Sequence, residues 1–166
     1  MKKIIIALVA VFAVALSADA QKFGHVDTQS IMQSLPELTK VNGELQAIAQ
    51  QYDNDIKAMQ EELQRKAEEY EKNKATMSAT AQQEQEKTLQ DMYTKIQQTA
   101  QQNQQEFQKQ QAEKMQPIQQ KIVTAIQNVG KAGQYTYIFE QGAALYIGTG
   151  SKDVTSEVKA EINKLK

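Results

Sequence analysis

The chain has no cysteine, no tryptophan, one histidine and only two prolines in 166 residues. Without cysteine it can form no disulfide and carry no lipid-anchored cysteine. His25 has neither a cysteine nor a second histidine to work with. Its neighbouring carboxylate, Asp27, lies two residues along a predicted strand, so a structural place on a sheet is expected. No glycine-rich phosphate loop, no nucleophile elbow and no cluster with metal-ligand spacing occurs. The paired carboxylates Glu61-Glu62 and Glu68-Glu69 have lysines three or four residues away, which is the pattern of a solvated helix surface. These absences predict no enzyme and no cofactor. An excess of positive charge is missing too: 19 basic residues face 20 acidic ones. The basic stripe of a nucleic-acid binder is absent, and no nucleic-acid partner is expected.

Glycine and proline are also missing where they would matter most. No glycine stands between Glu44 and Val129, and Pro117 is the only proline there. Because these residues interrupt helices, their absence predicts long uninterrupted helix. The apolar pattern agrees. Leu38, Val41, Leu45, Ile48, Tyr52, Ile56, Met59, Leu63, Ala67 and Tyr70 follow in steps of three or four, which makes one stripe on a helix. After a polar break at Thr76–Thr80, a second stripe runs through Leu89, Tyr93, Ile96, Ala100, Asn103, Phe107, Gln111, Met115, Ile118, Ile122, Ala125 and Val129. Thr80 and Gln83 have the spacing of a capping box. Two antiparallel helices of roughly 40–50 residues, at about 1.5 Å per residue, would form a hairpin on the order of 60–70 Å long. Pro36 suits a first helical turn, whereas Pro117 should kink or loosen the second helix. The glutamine-rich tract "QQTAQQNQQEFQKQQAE" (97–113) falls within the second stripe. It is therefore expected to be helix, loosely packed at Asn103 and Gln111.

The beginning of the chain reads as an export leader. Lys2 and Lys3 precede an apolar run from Ile4 to Leu16, and Ala18-Asp19-Ala20 fits a cleavage site. The run is shorter than the roughly 20 apolar residues that span a bilayer. Cleavage after Ala20 would leave a soluble chain in an extracytoplasmic space, starting at Gln21, and loss of two lysines and one aspartate takes the formal charge from −1 to −2. No stable membrane insertion is expected. An array of alternating strands about ten residues long, the mark of an outer-membrane barrel, is absent.

The ends read as a small body. Lys22–Asp27 is a strand candidate, and residues 28–34 a short helix. Tyr135–Glu140 and Ala143–Gly148 read as a β-hairpin turning at Gln141-Gly142, followed by a loop at 148–151. A last helix follows, with Thr155 as its predicted N-cap. The fold class is α+β, mostly α: a β body of residues 21–35 and 130–166, and a helical hairpin arm of residues 36–129 with its tip near 76–80. A body of only about 60 residues buries little surface, so self-association through sheet edges is expected. Phe23, Val26, Ile138, Leu145, Tyr146, Ile147, Val158 and Ile162 are the candidate body core and oligomer contacts. Met59, Tyr70, Met77, Met92, Tyr93 and Phe107 are candidate partner-binding contacts on the arm. Met92 and Tyr93 are adjacent, so one of the two must face outward.

The strand Phe23-Gly24-His25-Val26-Asp27, the alanine- and glutamine-rich hairpin and the closing block "YTYIFEQGAALYIGTGSKDVTSEVKAEINKLK" (135–166) together resemble the Skp/OmpH family of periplasmic chaperones. The resemblance covers essentially the whole chain after the leader. It implies a homotrimer with a barrel-like β body, whose helical arms enclose a cavity for unfolded outer-membrane proteins. It also implies an ATP-independent holdase. The best-known members are strongly basic and this chain is not, which weighs against electrostatic capture of lipopolysaccharide or a membrane surface. The competing function is a coiled-coil spacer or adaptor within the envelope.

Overall fold

A computed structural model describes residues 21–165. The export leader expected over 1–20 lies outside the described residues. In chain order the elements are β1 (Phe23–Val26), α1 (Thr28–Gln33), α2 (Pro36–Asn73), α3 (Ala79–Ala132), β2 (Tyr137–Glu140), β3 (Ser151–Asp153) and α4 (Thr155–Ile162). They fall into two compact units. Gln33–Gln120 form a hairpin unit, and residues 21–32 with 121–165 form a sheet unit.

In the hairpin unit, α2 begins with Pro36 in its first turn after an extended Leu35. Proline loses nothing there, since a first-turn N–H has no intrahelical acceptor. Every position of the predicted first stripe, from Leu38 to Tyr70, is buried or half-buried. The chain reverses through a 3-10 turn at Lys74–Thr76. Here the predicted cap is corrected. Ser78, not Thr80, caps α3, its Oγ accepting from the Ala81 N–H at 3.2 Å. The Gln82 amide donates back to the carbonyls of Lys74 (2.9 Å) and Met77 (3.3 Å), and the Thr76 hydroxyl donates to Asn73 O (2.8 Å), so side chains meet the turn's acceptors. α3 runs 54 residues, through the glutamine-rich tract and through Pro117 without a break.

The second stripe differs from expectation by one residue at several places. Tyr93, Ala100 and Gln111 are exposed, while Met92, Thr99 and Gln110 are half-buried. From Leu89 the inward positions run 92, 96, 99, 103, 106 and 110, alternating steps of three and four. That alternation is the 3.5-residue period that keeps a seam against a partner helix. It favours flexible Met92 inward and leaves the Tyr93 hydroxyl in water. Two cross-links fasten the helices. Lys114 Nζ meets Glu44 Oε2 at 2.7 Å, and the Tyr70 hydroxyl donates to Glu86 Oε1 at 2.5 Å near the turn.

In the sheet unit three strands lie in the order β2-β1-β3. Both outer strands run parallel to β1, with Phe23 opposite Tyr137 and Ser151. The predicted β-hairpin is therefore corrected: Tyr137–Glu140 pairs with β1, and Ala144–Gly148 forms no strand. The residues expected as loop at Ser151 instead open β3. A tight hairpin needs positive φ in its turn, and no described glycine adopts one. Gln141–Ala143 winds as a 3-10 turn instead. β1 offers both edges, and Thr136 N–H to Lys22 O (2.8 Å) and Val154 N–H to His25 O (2.9 Å) extend the two ladders.

Side chains and reverse bonds set the boundaries here. Asp27 Oδ1 accepts from the Ser30 N–H at 2.7 Å and starts α1. α3 ends with Gln134 in the left-handed region (φ 55). Tyr135 N–H bonds back to Gly130 O (3.0 Å) and Gln134 N–H to Lys131 O (3.2 Å), the paired bonds of a Schellman motif. A Cβ at Gly133 would run into the Tyr135 ring, so a larger residue there would have to displace it. Thr155, expected as the N-cap of α4, is its first residue. The Asp153 carboxylate takes the Thr155 N–H at 2.9 Å, and the Thr155 hydroxyl accepts from the Asp27 N–H at 3.0 Å. Val26, Ile31, Ile122, Ala125, Val154, Val158 and Ile162 form the buried core of this unit.

Candidate interaction surfaces

Strand alternation gives the sheet two unlike faces. Gly24, Val26 and Ile138 occupy the more buried face, whereas Phe23, His25, Tyr137, Phe139 and Ser151 occupy the other. On that outer face Phe23, Tyr137 and Phe139 stack, with centroids 5.7–6.4 Å apart. Tyr137 and Phe139 remain about half exposed. His25 Nδ1 lies 3.0 Å from Ser151 Oγ. A cleft of about 300 Å³ separates Phe23, His25 and Phe139 from Tyr146 and Ile147. Leu145 is fully exposed (106%) and Tyr146 nearly so (86%).

The eight residues expected at the body core and oligomer contacts therefore divide. Val26, Val158 and Ile162 are buried in the chain's own core; Phe23, Ile138 and Ile147 are half-buried; Leu145 and Tyr146 stand open. Sequence reasoning missed Tyr137 and Phe139. The period-2 pattern that picked out Ile138 places them on the opposite face, where two aromatics in a short strand are themselves a signal.

Ion pairs and hydrogen bonds shift several carboxyls of this unit. Hydrogen bonds from the Thr155 side chain and backbone hold Asp153 below the usual carboxylate range. Lys152 lowers Glu157 and is itself raised by it. Lys164 and then Asn128, both donating to Glu161, lower that carboxyl as well.

The hairpin unit gathers five of the six predicted client contacts into three shallow clefts. Tyr70 and Met77 line one beside the turn. Met59 and Met92 meet across a second of about 510 Å³, floored by Ile96 and rimmed by Asp55, Glu62 and Lys95. Phe107 faces Tyr52 and Ile56 across a third of about 360 Å³. Tyr93 stands apart on the outer surface, 51% exposed. Tyr70 is tied to its surroundings: the hydrogen bond to Glu86, burial and the Glu86 charge push its pKa up to about 12. The stripe pattern marks Tyr52, Ile56 and Ile96 only as seam. Their part in clefts follows from small or polar partners opposite, which a stripe count does not register. Among the described residues no group of three potential metal ligands occurs, and no helix is long and apolar enough to cross a membrane.

A long two-helix hairpin bearing shallow apolar clefts, in one chain with a small sheet whose aromatic face is uncovered, defines a helical-hairpin interaction protein. The chain belongs to the OmpH-like family of outer membrane proteins, whose family model matches residues 22–162. A crystal structure from Caulobacter crescentus, of a protein described as an OmpH-like outer membrane chaperone, is similar in fold. It is 20% identical, with a TM-score of 0.76 over 89% of this chain and 87% of that one. No functionally curated protein matches the chain.

Proposed function

We propose that this protein is an ATP-independent periplasmic holdase that binds unfolded outer-membrane β-barrel proteins and prevents their aggregation. Its working form is a homotrimer. Residues 21–35 and 130–166 make the assembling body, and residues 36–129 make arms that enclose the client. The observation that carries the reading is the family match across 22–162, joined by a fold relative described as an outer membrane chaperone. The sheet unit supports the assembly. Phe23, Tyr137, Phe139, Leu145 and Tyr146 leave apolar surface that a second and third copy would bury.

The hairpin supports the holdase mechanism. Its seam is thin, and Met59, Met92 and Phe107 sit in shallow clefts rather than deep pockets. Contacts of that kind hold an unfolded chain through many weak sites and release it without nucleotide. Binding the unfolded state lowers the concentration of free aggregating chains by mass action. The test is light scattering of a urea-unfolded outer-membrane barrel diluted into the mature protein. Suppression at one trimer per client is expected. Undiminished aggregation, together with tight binding to one folded envelope protein, would establish a coiled-coil adaptor instead.

A further inference from the structure

One side chain on the aromatic face of the sheet belongs to the residue type that changes charge near neutral pH. His25, the chain's one histidine, stands there with Phe139 of β2 and Asp153 of β3 as its partners in register. It is half-buried and lines the cleft of about 300 Å³ with Phe23, Phe139, Tyr146 and Ile147. Its Nδ1 lies 3.0 Å from Ser151 Oγ. A hydroxyl donates to a neutral ring or accepts from a charged one, so Ser151 suits either state.

The charged groups around His25 are mostly engaged elsewhere. Asp153 shares its face, is itself exposed, and already accepts from the Thr155 N–H. Glu140, at the end of β2, points its carboxylate at the Thr28 N–H (3.3 and 3.4 Å). Lys152, on the opposite face of β3, pairs with Glu157 of α4. The Asp27 carboxylate takes the Ser30 N–H, and Lys159 donates to Ser30 Oγ at 3.0 Å. Tyr137 and Tyr146 complete the titratable groups of the aromatic face and its cleft.

We propose that His25 makes assembly through this face sensitive to pH: the neutral ring is buried against a second copy, and the protonated ring opposes that burial. The proposal rests on the assembly reading above, as regulation of the same face. Covering the face strips water from the ring, which costs a charged imidazolium far more than a neutral one. Asp153 offsets only part of that cost, because attraction to an exposed carboxylate is screened by water. Protonation also adds one positive charge per copy to a single assembly, a like-charge penalty. The sign follows. The assembled state excludes the proton, so association is complete above the ordinary histidine range and weakens as pH falls through it. Shedding one proton per copy lowers the association constant about tenfold per pH unit, and three copies together approach about a thousandfold.

The test is sedimentation equilibrium of the full mature chain at pH 7.5 and 5.5 and constant ionic strength, beside His25→Gln. The wild-type association constant should fall about tenfold or more, while that of the variant stays within about threefold. Helical circular dichroism should be the same at both pH values. Equal wild-type constants, or an equal loss in the variant, would overturn the switch and leave assembly standing. So would a loss of helix at pH 5.5, which would make the effect unfolding. A second measurement needs no variant. Diluting the wild-type assembly at pH 6.5 in weak buffer should take up protons as the copies separate, read with an indicator dye. Separation without uptake would overturn the switch whatever the variant does. A wild type that is monomeric at pH 7.5 would overturn both this proposal and the assembly reading.

Discussion

At the residue scale, two positions give sharp tests. Gln134 holds φ 55 at the end of α3, a conformation that costs an L-residue about 1–2 kcal/mol and glycine nothing. Gln134→Gly should therefore stabilise the sheet unit by about 1 kcal/mol, read as a higher midpoint in urea. Tyr70 is the second. Its hydrogen bond to Glu86 raises its pKa to about 12. A pKa raised in the folded state means the bond's contribution is complete below the ordinary tyrosine value of about 10. The contribution then disappears as pH climbs toward 12. The stability gap between wild type and Tyr70→Phe should thus be constant from neutral pH to about 10 and close above it. Ultraviolet titration should show one of the six tyrosines ionising late, and that phase should vanish in the variant.

At the element scale the seam of α3 can be tested directly. Met92 faces inward and Tyr93 is half exposed. Met92→Ala should cost the hairpin about 1–2 kcal/mol, whereas Tyr93→Ala should stay within about 0.5 kcal/mol of wild type. Thermal melts followed by circular dichroism decide it, and the reverse order would restore the stripe through Tyr93. The slip between the two registers has a physical origin. α2 sets Leu45, Tyr52 and Ile56 beside the charged Glu44, Asp53, Asp55 and Lys57, so its stripe is legible in the sequence. α3 is glutamine-rich between 97 and 113, and glutamine suits seam and surface almost equally, so the contrast that fixes register is weak. The sheet was less legible for another reason. Tyr137–Glu140 reads as strand from its own residues, but Ser151–Asp153 is polar and becomes strand only because β1 presents a free edge. Ala144–Gly148 has strand composition and no ladder partner within the chain. Local pattern marks which segments can extend; only long-range pairing decides which of them do.

At the scale of the whole molecule, chemistry that a single chain leaves unfinished points outward. The buried core of the sheet unit is made of aliphatic side chains, while the stacked aromatics and Leu145 lie outside it. The predicted contacts were legible as apolar residues, but not as inner or outer ones, since period alone does not say which face a second copy covers. Assembly is the premise on which the proposed enclosing cavity and the proposed holdase mechanism both depend. Sedimentation equilibrium of the mature chain at micromolar concentration tests it most directly, with Leu145→Asp beside the wild type. The wild type should sediment as a trimer and the variant as a monomer of unchanged helical content. A wild type that sediments as a monomer would contradict the account.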